Sequence, residues 1–149
     1  MHRVFQTFID GLAESTDAAD LQSVLAQAGC ALDVSRFAYL SLPSRRSDRP
    51  QVISTYPADW VERYLRQHYK RIDPVMLDAL AAAKPFEWGR EFLLRSLSKG
   101  QHALLDETAQ FGIRCGFTVP IHGSRGPIAT VTFVADEHRT TFQRCMKYN

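Results

Sequence analysis

The stretch from residue 115 to residue 135 constrains the fold of this chain most, because it reads as two strands joined by a tight turn. Residues 115–121 and 127–135 are rich in Val, Ile, Thr and Phe, which favour strands. The glycine-containing segment His122-Gly123-Ser124-Arg125-Gly126 separates them and predicts a hairpin. The fold must therefore contain an antiparallel sheet, which the rest of the chain extends or covers.

The first third of the chain alternates between helical and strand-like patterns. Apolar residues at a spacing of three and four predict one helix near residues 4–12. A second helix is predicted from Asp17, as N-cap, to Gly29, as its end. Residues 35–42 and 51–55 then predict a second pair of strands on either side of a polar loop.

Helices follow in the middle of the chain. They are predicted at 57–68 and at 74–83, the latter beginning with Pro74 in its first turn. Ser98-x-x-Gln101 resembles a capping box and opens a third helix that ends at Gly112. This order of helices and strand pairs predicts a single α+β domain. We expect an α-β-α sandwich, PAS/GAF-like, around a central antiparallel sheet of about five strands.

Composition excludes several classes of protein. The net charge is only +2 in 149 residues, with 23% charged residues, which does not favour nucleic-acid binding. Cys30, Cys115 and Cys145 are odd in number and form no C-x-x-C pair. The sequence does not begin with a signal peptide pattern, and no apolar run approaches the roughly 18 residues of a membrane span. We therefore expect a cytoplasmic protein with reduced thiols and no membrane partner.

One short region concentrates aromatic donors and a carboxylate. Trp60 and Tyr64 are four residues apart, so they share one face of the predicted helix, with Tyr56 just before it and Asp73 just before the next helix. Such a set can surround a small molecule with rings and aim a few polar atoms at it. Taken alone, the same residues are also compatible with core aromatics and an ordinary helix N-cap.

Several motifs together match one family. Tyr56-x-x-x-Trp60-x-x-x-Tyr64, Asp73-Pro74, Trp88 and the run from Phe111 to Ile121 resemble the autoinducer-binding domain of LuxR-type quorum-sensing regulators. The resemblance implies a sandwich that buries an acyl-homoserine lactone between its sheet and one helical layer. It also implies a cytoplasmic signal receptor that couples binding to folding, dimerisation and transcription control, without catalysis and without a cofactor other than the lactone.

The resemblance assigns roles to individual residues. Trp60 would donate its indole N–H to the lactone carbonyl, Asp73 would accept the amide N–H, and Tyr56 would donate to the amide carbonyl. Thr132 matches a position that supplies a hydroxyl to the amide or to a 3-oxo group. The remaining positions implied to surround the ring and the acyl tail are Tyr64, Trp88, Val75, Phe92, Leu104, Leu105, Ala38, Leu40 and Leu42.

The resemblance also bears on partners. Residues 1–149 correspond to the autoinducer-binding domain, and the family's C-terminal helix-turn-helix domain is absent from this sequence. We therefore expect a small-molecule autoinducer and a homodimer, with DNA bound only through the missing domain.

Three alternatives stay open. A generic PAS/GAF-like sensory module for another small molecule has the same architecture, but it has no reason to hold the trio Tyr56, Trp60 and Asp73. A natural truncated anti-activator would form inactive heterodimers with a full-length relative. Finally, His102 and Cys115 could serve an enzyme, but nothing in the sequence fixes their mutual geometry, and the five histidines show no metal-ligand spacing.

Overall fold

The computed structural model describes residues 7–8, 10–11, 18–31, 36–41, 51–82, 84–89, 95–123 and 126–134. Residues 7–8 and 10–11 are helical, within the first predicted helix. The other elements, in chain order, are α1 (Ala18–Ala31), β1 (Arg36–Ser41), β2 (Val52–Ser54), α2 (Ala58–Arg66), a 3₁₀ turn (Tyr69–Arg71), α3 (Pro74–Ala81), β3 (Phe86–Trp88), α4 (Lys99–Gln110), β4 (Gly116–Gly123) and β5 (Gly126–Val134).

The strands form one five-stranded sheet in the order β2-β1-β5-β4-β3, and every neighbouring pair is antiparallel. Both predicted hairpins are present, β1 with β2 and β4 with β5. The two hairpins join where β1 pairs with β5, so β5 is the central strand. The predicted α+β sandwich around an antiparallel sheet is confirmed.

Three local predictions need correction. Gly29 does not end its helix, because α1 continues to Ala31 and Gly29 is buried within it. The helix predicted at 57–68 ends at Arg66, and His68 then adopts the left-handed conformation with φ of 55°. Strand β3 was not predicted at all; three residues are too few for a clear alternation. Asp17 and the polar segment 43–50 lie outside the described residues.

One face of the sheet, the packed face, is covered by α1 and by Phe8. Its hydrophobic core consists of Phe8, Leu21, Leu25, Ala28, Phe37, Phe117, Val119, Val131 and Phe133. Each large side chain buried in this way contributes roughly 1.5–3 kcal/mol of hydrophobic stabilisation. The packed face therefore fixes the position and register of the central strands.

The opposite face, the cavity face, is covered by residues from α2, α3 and α4 and is built differently. Strand β5 shows the change directly, because Val131 and Phe133 belong to the packed face while Thr130 and Thr132 point the other way. The buried apolar core on this side is Trp60, Val75, Trp88, Leu104, Ile113 and Val134. It leaves space between the sheet and the helices.

Candidate functional site

A cavity of about 110 Å³ lies between the cavity face of the sheet and the helices α2 and α3. A single water molecule needs only roughly 10–15 Å³ of such volume, so the space suits something larger. Most of the residues that the sequence predicted for a ligand site line it, namely Tyr56, Trp60, Tyr64, Asp73, Val75, Trp88, Thr132, Ala38, Leu40 and Leu105. Residues as distant in the sequence as Ala38 and Thr132 are thus brought into one site.

Three of the predicted residues are not placed at this cavity. Leu104 is buried in the apolar core beside it and does not line it. Its neighbour Leu105 faces the cavity instead, since adjacent helical residues point about 100° apart. Leu42 and Phe92 lie outside the described residues.

Several lining residues were not predicted, namely Tyr39, Val52, Ser54, Val61, Leu65, Met76, Thr108, Ile113 and Thr130. Some of these residues were predictable from the sequence. Val61 and Leu65 follow Trp60 and Tyr64 by one position each and continue the same helical stripe. Thr130 is two residues before Thr132 on one strand, so it shares that face. Ile113 and Thr108 carried no such signal.

Asp73 combines a structural and a site role. Its Oδ1 accepts from the backbone N–H of Val75 at 2.9 Å, which caps α3 ahead of Pro74. Its Oδ2 accepts from the Tyr64 hydroxyl at 2.7 Å. Burial raises the pKa of Asp73 above its ordinary value, and these hydrogen bonds partly oppose that rise. The cap holds the carboxylate at the cavity wall with lone pairs to spare for a further donor.

Tyr56 is a neutral hydroxyl donor at the same wall. Burial raises its pKa, and the nearby negative charge of Asp73 raises it further, against a smaller lowering by Arg36. The same two causes raise the pKa of Tyr64 well above its usual range. Both phenols therefore keep their protons at neutral pH. The Tyr64 hydroxyl donates its proton to Asp73, whereas the Tyr56 hydroxyl donates to no acceptor within the described parts of the chain.

Trp60 is held by a cluster of aromatic rings. Its ring centroid lies 6.1 Å from that of Tyr64, 5.9 Å from that of Tyr69 and 5.3 Å from that of Phe111. The described residues offer no acceptor to its indole N–H, yet they contain no fully enclosed side-chain nitrogen or oxygen without a partner. The N–H is therefore not fully enclosed. Because Trp60 is only 2% exposed and lines the cavity, the cavity is the space that this N–H faces.

The sheet adds a chain of hydroxyls to the site. The Trp88 indole Nε1 donates to Thr118 Oγ1 at 2.9 Å, and Thr118 Oγ1 lies 2.8 Å from Thr132 Oγ1. Gly116 makes room for the indole, because a Cβ there would lie 2.7 Å from the Trp88 ring. Trp88 thus reaches the cavity wall while its N–H is used by the sheet.

Contacts between the covering helices close the site from outside. Glu107 on α4 accepts from Arg63 at 2.8 Å and from the Tyr69 hydroxyl at 3.0 Å. Gln101 donates to the Ile72 carbonyl at 3.0 Å. These bonds connect α4 to α2 and to the 3₁₀ turn beside the cavity.

The residues that the sequence offered to an enzyme lie away from the cavity. His102 and Asp106 are exposed on α4, and neither lines it. Over the described parts of the chain, no three His, Cys, Asp or Glu side chains are grouped so as to hold a metal ion. Within the same residues, no helix has the length and hydrophobicity that crossing a membrane would need.

Comparison with known sequences identifies one family. The family described as "Autoinducer binding domain" matches residues 17–147. The putative HTH-type transcriptional regulator y4qH of Sinorhizobium fredii is 31% identical over 143 residues, which is 93% of this chain and 44% of that protein. The transcriptional activator EchR of Dickeya chrysanthemi is 30% identical over 105 residues, 70% of this chain and 42% of that protein. The chain thus spans less than half the length of these relatives.

Solved structures agree on the fold. The N-acylhomoserine lactone dependent LuxR family transcription factor CepR2 of Burkholderia cenocepacia superposes with a TM-score of 0.71 at 19% identity, covering 99% of this chain and 87% of that one. SdiA in complex with octanoyl-rac-glycerol gives a TM-score of 0.69 at 16% identity, covering 98% of this chain and 61% of that one.

Proposed function

Because this chain belongs to the autoinducer-binding domain family of LuxR-type regulators, we propose that it binds an acyl-homoserine lactone in the cavity beneath α2 and α3. One observation carries the proposal. Two hydrogen-bond donors, the Tyr56 hydroxyl and the Trp60 N–H, face a mostly apolar cavity next to the acceptor Asp73, without acceptors among the described residues. A donor that opens onto a cavity gains a hydrogen bond when a ligand places an acceptor there, so this set favours a ligand that carries matching acceptors.

The lactone head group has the complementary polarity. It presents a lactone carbonyl and an amide carbonyl, which are acceptors, and one amide N–H, which is a donor. In our proposal Trp60 donates to the lactone carbonyl, Tyr56 donates to the amide carbonyl, and Asp73 accepts the amide N–H. A hydrogen bond to a charged group such as Asp73 contributes about 1.5–3 kcal/mol, more than either neutral bond.

The acyl tail accounts for the apolar remainder of the cavity. Ala38, Leu40, Val52 and Leu105 line it with side chains that offer no hydrogen bond. Each methylene buried against such a wall contributes about 0.8 kcal/mol. A tail of several carbons therefore rivals the polar contacts in affinity, and its length is the natural basis for discrimination between signals.

Binding of this kind couples to folding. A ligand that binds only the native state stabilises it by mass action. We propose that in the whole protein this stabilisation supports dimerisation and control of transcription in the cytoplasm, with DNA contacted by a part of the protein beyond this domain.

Thermal unfolding with a panel of lactones tests the proposal. We expect a rise in melting temperature with at least one lactone. The rise should be strongly reduced in Asp73→Asn, which retains an N-cap but loses the charged acceptor, and reduced in Trp60→Phe. Tyr69→Phe is the matched control, because the Tyr69 hydroxyl binds Glu107 and does not line the cavity. It should keep the full rise.

Two results would contradict the proposal. One is the absence of any rise with any lactone. The other is a larger rise with octanoylglycerol, the kind of ligand seen with SdiA, than with every lactone, which would make an acylglycerol the preferred ligand class.

A further inference from the structure

Arg36 connects the sheet to the end of α4 beside the cavity. It is the first residue of β1, and its Nη1 donates to the Phe111 carbonyl at 2.6 Å, across 75 positions of the sequence. By strand alternation its side chain lies on the same face of β1 as Ala38 and Leu40, which line the cavity. Arg36 is half-buried and does not line the cavity itself. It therefore lies on the cavity face of the sheet, but outside the space for a ligand.

The end of α4 has the conformation and the space that this guanidinium needs. The Ile113 N–H donates back to the Thr108 carbonyl at 3.0 Å across Gly112, whose φ is 80°, which is the Schellman pattern of helix termination. This pattern does not use the Phe111 carbonyl, and Arg36 donates to it. A Cβ at Gly112 would lie 2.7 Å from Arg36 Nη1, so glycine leaves the room that the guanidinium occupies. A cation at this end of a helix also interacts favourably with the helix dipole.

The residue that Arg36 holds packs directly on Trp60. The ring centroids of Phe111 and Trp60 lie 5.3 Å apart, the shortest of the three ring distances at Trp60 within the described residues. The hydrogen bond from Arg36 fixes the backbone of Phe111, and with it the ring against which the Trp60 indole lies. The orientation of the Trp60 N–H therefore depends on Arg36 through Phe111.

Arg36 also acts on Tyr56, the second donor of the site. Burial and the negative charge of Asp73 raise the pKa of the Tyr56 hydroxyl, and the positive charge of Arg36 lowers it. The guanidinium thus lies near enough to polarise this O–H, which makes it a stronger donor to a carbonyl. Both donors of the site are within the influence of one arginine that does not line the cavity.

We propose that Arg36 is a positioning residue for the head group of the ligand. It holds the end of α4 and the Phe111 ring so that the Trp60 N–H points at the lactone carbonyl. The inference rests on the proposed function, in which Trp60 donates to that carbonyl. Because Arg36 lies outside the cavity, its loss should change the choice between head groups and not the choice between tails.

The test compares two ligands with the same acyl tail. One is the acyl-homoserine lactone, and the other is the N-acyl cyclopentylamide, whose ring has the same size but no carbonyl for Trp60. We expect the wild-type chain to bind the lactone about tenfold more tightly in isothermal titration calorimetry, the factor that about 1.4 kcal/mol gives.

Three variants address the contact itself. Arg36→Met keeps the apolar stem without the guanidinium and should narrow the lactone preference several-fold, mainly by weakening the lactone. Gly112→Ala crowds the guanidinium without removing it, so it should narrow the preference too, and it tests the contact independently if Arg36→Met does not fold. Arg36→Lys keeps a charged donor for the Phe111 carbonyl and should retain most of the preference.

Two controls separate positioning from a general loss of packing. Arg66→Met removes an exposed arginine that pairs with Glu62 on the same helix as Trp60, and it should leave the lactone preference unchanged. Two lactones of different tail length should keep their relative affinity in Arg36→Met, whatever the absolute affinities become.

An unchanged lactone preference in Arg36→Met would overturn the inference and make Arg36 a contact of the fold alone. A tail ratio that narrows by the same factor as the head-group ratio would do the same. Equal wild-type affinity for the two head groups would also overturn it, with lactone binding left standing. Failure of both ligands to bind would overturn the proposed function as well.

Discussion

The two faces of the central sheet are made by the same strands but are built for different purposes. On the packed face, Val131 and Phe133 meet Leu21, Leu25 and Ala28 of α1 in a hydrophobic core. On the cavity face, Thr130 and Thr132 from the same strand meet a space of about 110 Å³ bordered by aromatic rings and a carboxylate. Strand alternation places the hydrophobic core on one side and, on the other, the cavity that we propose as the ligand site.

The comparison explains how a cavity can be tolerated. Holes in a core cost stability, and polar groups that line them cost more when unpaired. Packing on the packed face holds β1, β4 and β5 in register. The backbone positions of the hydroxyls on the cavity face are therefore fixed even where no side chain packs against them. A slip of one residue would exchange the two faces.

The largest expected effect is on the packed face. Phe133 is 1% exposed and packs edge-on against Phe8, with ring centroids 5.8 Å apart. Phe133→Ala should lower the free energy of unfolding by about 3–5 kcal/mol, measured by urea denaturation. Phe133→Leu should lose less, and provides a measurable variant if the alanine protein does not fold. A change within about 0.5 kcal/mol, as at an exposed site, would contradict the assignment of this face.

Replacing an alanine by leucine should change the free energy of unfolding in opposite directions on the two faces. Ala28→Leu overfills the packed face and should cost about 1–3 kcal/mol. Ala38→Leu projects into the cavity and should raise the stability of the ligand-free protein by about 0.5–2 kcal/mol.

The change in melting temperature on adding a lactone is the control for the variants Ala28→Leu and Ala38→Leu. Ala38→Leu should lose the rise in melting temperature given by a lactone, whereas a folded Ala28→Leu protein should retain it. Equal losses of stability in both variants would mean that the cavity face is as tightly packed as the other.

The pH dependence of stability should show that the ionised Asp73 lowers the stability of the ligand-free protein. Burial raises its pKa above 3.8, so the folded state binds a proton more readily than the unfolded chain does. Its contribution to stability therefore decreases as pH rises from about 3.8 through the raised pKa. Asp73→Asn does not titrate, so its free energy of unfolding should improve relative to wild type over that window, in urea denaturation without ligand. A difference that does not vary with pH would contradict this.

The smallest effect is expected on the outside of the cavity face. Glu107 pairs with Arg63, whose side chain is 52% exposed, and also accepts from Tyr69. Exposed ion pairs contribute up to about 1 kcal/mol, and Glu107→Gln keeps an acceptor. Its loss of stability should therefore stay below about 1 kcal/mol by the same assay. A loss well above that would mean that this contact, and not the sheet, holds the helices over the cavity.

Much of this architecture was predictable because local signals agreed with the final packing. The capping box at Ser98 and Gln101 forms both of its hydrogen bonds. Asp73 caps the helix that Pro74 begins. Trp60 and Tyr64 face one cavity because residues four apart lie on the same side of a helix.

Register was the part that the sequence could not supply. Gly123 pairs with Gly126, and counting back from this pair would place Thr118 opposite Val131. A bulge between Ile121 and His122 shifts the pairing by one residue, so Thr118 lies opposite Thr132 instead. The hydroxyl chain depends on that shift. Gly29 is a second such position, because it is buried inside α1 where a local rule predicts the end of the helix.

The most direct test of the account is amide hydrogen exchange with and without a bound lactone, compared between the two faces. With the cavity unfilled, α2 and α3 should open locally at low cost, while α1 is held by the packed face. We predict that the lactone increases protection in α2 and α3 by more than in α1. An equal increase in all three helices, or none in α2 and α3, would contradict the claim that recognition is confined to the cavity face.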